Sequence, residues 1–248
     1  MNRENSTPTP PRPACYFHGD NLLQLMTEHH LLVQRTARYY TIGQLTDQTK
    51  HIWFCLHGFG QLAQYFSRKF TDLDDGQTLV VVPEGLSRSY TDGNYQRIGA
   101  SWMTREDRDH EISDYVLYLN SLYNLMLDGR KPGEADLQVT VLGFSQGAAT
   151  ACRWLNANHV HVDRLILWAG YLPHGLADLI NPTTLSTTET HYVYGRQDEY
   201  LLELKDINGY LNRLQTDIPT LKITAFDGGH KVEPSVLKQL VASPETIL

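Results

Sequence analysis

The chain is short of cysteine, of basic charge and of long apolar runs. Its three cysteines, Cys15, Cys55 and Cys152, are an odd number at wide spacing. Neither a disulfide framework nor metal-ligand spacing can be read from them. Cys55 and Cys152 stand inside apolar segments, where a free thiol behaves as a small hydrophobe. Free thiols predict a reducing, cytoplasmic setting. Lys and Arg number 21 against 28 Asp and Glu, a net charge of −7. That sign, without any Lys/Arg run, argues against nucleic acid or an anionic membrane surface as a main partner. No apolar run approaches the ~20 residues of a membrane helix, so integral membrane association is not expected. The opening MNRENSTPTPPRPAC lacks the apolar core of a secretory signal.

What is present suits one globular domain. A chain of 248 residues can bury a substantial core without disulfide staples. Residues 1–14 hold Pro8, Pro10, Pro11 and Pro13 and predict an extended or disordered leader. Residues 15–248 predict a single domain, with no internal repeat and no linker.

Leu31–Gln34 and Ala37–Ile42 read as short strands. HIWFCLHGFG (51–60), TLVVVPEG (78–85), DLQVTVLGFS (136–145), RLILWAGYLP (164–173), THYVYGRQDE (190–199) and TLKITAFDGGH (220–230) share one pattern. Each is a short β-branched or aromatic run that stops at Gly, Pro or Asp, as strands of a buried, mostly parallel sheet do. Helical spacing lies between them. Asp109–Leu127 places Ile112, Tyr115, Val116, Leu119, Leu122, Tyr123 and Met126 on one stripe. Gln146–Asn156, Leu201–Leu214 and Pro234–Val241 read as further helices. Alternating strands and helices predict an α/β fold with helices on both faces of the sheet.

Gly143-Phe144-Ser145-Gln146-Gly147 stands where a strand run meets an alanine-rich helix. It matches G-x-S-x-G, a turn sharp enough to need small residues on both sides of the serine. A hydroxyl held there is exposed at the mouth of the sheet, facing the positive end of the following helix. A serine hydroxyl is a weak nucleophile and needs a base and an acid that orients the base. The order Ser, acid, His on this kind of turn points to Asp198 and His230, each just past a strand run. Glu199, Asp206 and Asp227 compete for the acid's role, and Glu199 is adjacent to Asp198. His57-Gly58-Phe59-Gly60 follows an early strand and suits an oxyanion device. Phe59 and Gln146 would supply its backbone N–H donors, with His57 bracing the turn. His159 and His161 could chelate a metal, but no third ligand stands nearby, and no metal or organic cofactor is expected.

These devices together resemble the α/β-hydrolase superfamily. More narrowly, the chain resembles the small carboxylesterase, lysophospholipase and acyl-protein thioesterase family. The residues that carry the likeness are CLHGFG (55–60), PEG (83–85), Ser101-Trp102, GFSQGAA (143–149), WAGYLP (168–173), YGRQDEY (194–200) and GGH (228–230). The resemblance implies a catalytic triad of Ser145, Asp198 and His230, with Phe59 and Gln146 as oxyanion donors. Two departures bear on substrate preference: Ala169-Gly170 where the family often has Ser-Gly, and Met103-Thr104 where it often has Phe-Asp. The family also admits a homodimer, for which no feature of this sequence argues.

Only ~22 residues follow the Trp168 strand before the next, too few for a large helical lid. Tyr65, Trp102, Met103, Tyr171 and Leu172 are the expected substrate-binding walls. Their apolar character favours an acyl chain or a small hydrophobic ester. The expected activity is therefore hydrolysis of a carboxylic ester or thioester through an acyl-enzyme. Peptidase or amidase chemistry on the same residues, and a non-catalytic binding protein of the same fold, are the alternatives.

Overall fold

A computed structural model describes residues 26–130, 137–157 and 160–242; the Pro-rich leader and the 15–25 stretch lie outside them. The chain divides into two units, one up to Thr36 and one from Ala37 onward. Residues 26–36 form neither helix nor strand. The strand expected at Leu31–Gln34 is absent, with Leu31 and Leu32 86% and 89% exposed. An apolar run with no ladder partner gains nothing from extending.

The core is a seven-stranded sheet in the order β1-β3-β2-β6-β7-β8-β9. The strands are β1 (Tyr39–Ile42), β2 (His51–Leu56), β3 (Thr78–Pro83), β6 (Gln138–Phe144), β7 (Arg164–Trp168), β8 (Glu189–Gly195) and β9 (Lys222–Phe226). Only β1 runs antiparallel to its neighbour. A small antiparallel pair, β4 (Ser87–Tyr90) and β5 (Ile98–Ser101), stands apart. Polar β4 and four-residue β5 carry no apolar run.

The strands are buried on both faces, which is why they read as near-continuous apolar runs. On one face, Ile52, Phe54, Val139, Val141, Leu165 and Leu167 pack under α2 (Arg108–Leu127), α3 (Gln146–Asn156) and α5 (Ile207–Asp217). Trp154 of α3 sets its ring edge on Phe54 at 5.6 Å and donates its indole N–H to Asn120 at 2.9 Å. On the other face, Trp53, Cys55, Val80, Ile166 and Trp168 pack against α1 (Ala63–Phe66), the 3₁₀ turns of Ser67–Leu73 and α6 (Pro234–Ala242). Cys55 and Cys152 are free and buried, and burial pushes both thiols up.

The helix expected over Leu201–Leu214 is two. A short α4 (Glu199–Leu202) ends, and α5 begins afresh at Asp206, whose carboxylate accepts the Gly209 N–H at 2.8 Å. That cap starts a new helix in a stretch whose apolar spacing reads as continuous. The connection from β7 to β8 holds only the 3₁₀ turn Pro182–Leu185. No described helix is long and apolar enough to cross a membrane.

Candidate active site

Parallel strands bring their carboxyl ends to one edge, and Ser145, Asp198 and His230 all follow strands at that edge. Ser145 joins β6 to α3 with φ 54° and ψ −116°, a backbone state that L-residues enter only under constraint. The constraint is visible. A Cβ at Gly147 would collide with the Leu56 carbonyl, and one at Gly143 with the Gly147 carbonyl. The Ser145 N–H donates to the Trp168 carbonyl at 2.8 Å, which ties the turn to β7.

Asp198 and His230 meet because β8 and β9 are neighbours. The Arg196 N–H donates to the Phe226 carbonyl at 2.8 Å, and the Gln197 N–H to the Gly228 carbonyl at 2.9 Å. This lays the turn after β8 on the turn after β9, an approach so close that a Cβ at Gly195 would strike the Gly228 carbonyl. His230 Nδ1 then lies 2.8 Å from Asp198 Oδ2. The other carboxylate oxygen accepts the Tyr200 N–H at 3.0 Å. Asp198 is 1% exposed, so both oxygens are satisfied where water does not reach. The imidazole stands between the ring of Phe144, 4.9 Å away, and that of Tyr200, 4.6 Å away. Phe144 precedes Ser145 in the chain, so this contact sets His230 beside the serine turn. The Trp168 indole holds the same loop by donating to the Lys231 carbonyl at 2.9 Å.

Two of the three competing acids are engaged elsewhere. Asp206 caps α5. Asp227 is 86% exposed and paired with Arg196 at 3.4 Å. Glu199 is exposed. His161 is exposed and sits 3.3 Å from Asp163, and His159 lies outside the described residues.

The His57–Gly60 turn presses on the serine. A Cβ at Gly58 would stand 3.2 Å from Ser145 Cβ and 3.0 Å from the Phe144 ring. Among the described residues, no hydrogen bond takes the Phe59 N–H. Gln146 opens α3, where the first N–H groups have no intrahelical acceptor. His57 is fully buried: Nδ1 lies 2.7 Å from the Gly58 carbonyl, and Nε2 accepts the Gly85 N–H at 2.9 Å. An accepting Nε2 fixes the tautomer with hydrogen on Nδ1. Burial lowers the imidazole's pKa, so the ring is a neutral brace. Below it, buried Glu84 accepts from Arg38 at 2.6 Å, Arg88 at 3.1 Å and the Ala63 N–H at 3.1 Å.

The expected walls divide. Tyr65 and Tyr171 are 56% and 50% exposed. Trp102 is buried, and Leu172, though 1% exposed, borders a cavity between the loop after β7 and α3. The Trp102 ring stacks on His57 at 5.0 Å, and its indole donates to the His57 carbonyl at 2.8 Å. The Leu172 N–H donates to the Tyr210 hydroxyl at 3.1 Å. Met103 offers its carbonyl to the Gln146 side-chain amide at 2.8 Å, and Gln146 Oε1 accepts the Trp102 N–H at 3.1 Å. The Gln146 side chain thus clamps the 101–103 loop, a role no local motif announces. Tyr200, two residues from Asp198, likewise carries no sequence signal of its contact with the His230 ring.

A mostly parallel sheet with a serine on a strand–turn–helix elbow and a histidine–aspartate pair beside it defines an α/β-hydrolase. A family model described as "Serine hydrolase (FSH1)" matches residues 46–240. The chain belongs to that family and is a serine hydrolase by that membership. No curated protein matches the chain. Among solved structures, it resembles Zea mays acyl-protein thioesterase 2 at 20% identity, covering 84% of this chain and 99% of that one, with TM-score 0.60. A phospholipase/carboxylesterase from Dyadobacter fermentans is 15% identical over 86% and 98% of the two chains, with TM-score 0.58. Esterase PE8 is 17% identical over 84% and 97%, with TM-score 0.56. At these identities the likeness is one of fold.

Proposed function

We propose that the protein hydrolyses carboxylic esters or thioesters through an acyl-enzyme on Ser145. The observation that carries this reading is the 2.8 Å contact of His230 Nδ1 with buried Asp198, with the imidazole packed on the residue before the serine. Asp198 accepts the Nδ1 hydrogen, which leaves Nε2 with a lone pair. His230 takes the Ser145 proton as Oγ attacks the carbonyl carbon. The oxyanion that forms is met by the Phe59 and Gln146 N–H groups and by the positive end of α3. Collapse expels the alcohol or thiol, protonated by His230. Water, deprotonated by the same imidazole, then releases the acid and restores Ser145.

The test has two stages. A fluorophosphonate probe should label wild-type protein at Ser145 and leave Ser145→Ala unlabelled. A panel of p-nitrophenyl esters of rising chain length, acyl thioesters and aminoacyl amides then sorts the substrates. Absence of labelling defeats the reading, and turnover of amides alone moves it to peptidase chemistry.

A further inference from the structure

The loop after β7 and the outer face of α3 border a half-open cavity of about 190 Å³ lined by Arg108, Arg153, Leu172, His174 and Asp178 among others. Two guanidiniums and one carboxylate line it in a chain of net charge −7. The cavity is too small for a whole drug-sized ligand but large enough for one end of a smaller one.

Its place relative to Ser145 follows from α3. Gln146, Ala149 and Arg153 are three and four residues apart and share a helix face. The rise from Ser145 to Arg153 is ~12 Å, and helical side chains lean back toward the N-terminus, which shortens the gap. Arg153 Nη1 lies 3.6 Å from Met103 Sδ, whose backbone carbonyl is the one Gln146 holds. Gly170, next to the lining residue Tyr171, packs so tightly that a Cβ there would stand 2.6 Å from Ala148 Cβ.

The wall is firmly fixed. Arg213 donates to the Pro173 carbonyl at 3.0 Å, and Asp217 accepts the Leu176 and Ala177 N–H groups at 2.6 and 3.2 Å. The Tyr171 ring stacks on Tyr210 at 6.4 Å. Arg153 is half-buried, and among the described residues it forms no ion pair. Among the described residues, Arg108 pairs with its exposed neighbour Asp109, at 3.4 Å, a contact worth little in water. A planar guanidinium in a fixed wall is suited to bind a carboxylate through two parallel hydrogen bonds.

We propose that this cavity receives a carboxylate at the far end of the substrate's acyl chain, about four to eight carbons from the scissile carbonyl. The substrate class is then a half-ester or half-thioester of a dicarboxylic acid. Asp178 favours a monoanion over a phosphate dianion. This inference rests on the hydrolase reading of Ser145 and narrows the substrate. It departs from the purely apolar wall that the sequence suggests.

The experiment compares the p-nitrophenyl half-ester of suberic acid with the same compound methylated at its free carboxylate. For wild type, kcat/KM should be about tenfold or more higher for the free acid at low salt, from charge-assisted hydrogen bonds. That ratio should fall toward one in R153Q, fall partway in R108Q, and shrink as salt rises. A wild-type ratio at or below one, or a ratio unchanged in both variants, overturns the proposal. A binding arm separates the two readings. Monomethyl suberate should raise the Tm of Ser145→Ala and dimethyl suberate should not, with the shift lost on adding R153Q. If no ester is hydrolysed but this shift appears, the anion site stands and the hydrolase reading falls. If esters turn over and the shift is absent, the site falls and the hydrolase reading stands.

Discussion

His230 Nδ1 lies 2.8 Å from Asp198 Oδ2, and the two residues stand on turns that follow the neighbouring strands β8 and β9. The same aspartate is the N-cap of α4, accepting the Tyr200 N–H at 3.0 Å. Asparagine caps a helix as well as aspartate does, but its amide no longer fixes the imidazole tautomer or offsets imidazolium charge. On the proposed mechanism, Asp198→Asn lowers kcat by ~10³–10⁴-fold while Tm moves little. Steady-state kinetics and thermal unfolding on one preparation check both halves.

Ser145 and His230 were legible because each sits beside glycines that close a strand run, and Asp198 because it follows Gly195 at the end of another. The parallel ladder then did the rest: adjacent strands place successive turns together at one edge. The chain order already points to Asp198, and the structure turns that carboxylate, rather than the adjacent Glu199, onto His230. Trp102 reads as a wall because an aromatic in a loop looks the same whether it faces solvent or core. Arg108 and Arg153 were invisible as a pair. They come from two helices, and only packing brings them to one cavity. The β4–β5 pair escaped because β4 is mostly exposed and β5 is a four-residue strand, small in side chain after Ile98, so neither carries an apolar run.

Gly147 tests the elbow's steric argument. A methyl there meets the Leu56 carbonyl, which belongs to a buried central strand and cannot move aside without displacing the His57 turn. Gly147→Ala should cost about 3 kcal/mol, a Tm loss of about 6–12 °C. Activity should fall further than stability, because the displaced turn carries Phe59. Ala148→Gly, one residue on, serves as the control: it should lower Tm modestly without that disproportionate loss of turnover.

Gln146 joins two functions in one residue. Its backbone N–H faces the proposed oxyanion, while its side chain holds the Trp102 N–H and the Met103 carbonyl at 3.1 and 2.8 Å. Gln146→Ala keeps the first and removes the second. Losing two hydrogen bonds should cost about 1–2 kcal/mol, with kcat/KM down about tenfold. Gln146→Glu should be worse in both respects, because a carboxylate oxygen would face the Met103 carbonyl. Equal kinetics in both variants and wild type would show that the 101–103 loop does not border the substrate.

Acid should destabilise the fold through its buried histidines. Burial lowers the His57 pKa from its ordinary 6.5, against weaker upward pulls from the Gly58 carbonyl and Glu84. Burial lowers His191 as well, against Glu189. Both rings are favoured neutral in the folded chain and protonate more readily once unfolded. The unfolded state therefore binds more protons below about pH 6.5, and stability rises with pH across that range. It is fully present above the unfolded value and is lost as pH falls through it toward the folded value. Tm recorded from pH 8 to pH 5 should hold nearly level and then decline below about 6.5. His57→Gln, which cannot titrate, should start from a lower Tm, because the Gly85 tether at 2.9 Å is weakened. Its decline with acid should be shallower than that of wild type. A wild-type Tm that stays flat to pH 5 would mean that the two imidazoles protonate in place at no cost to the fold.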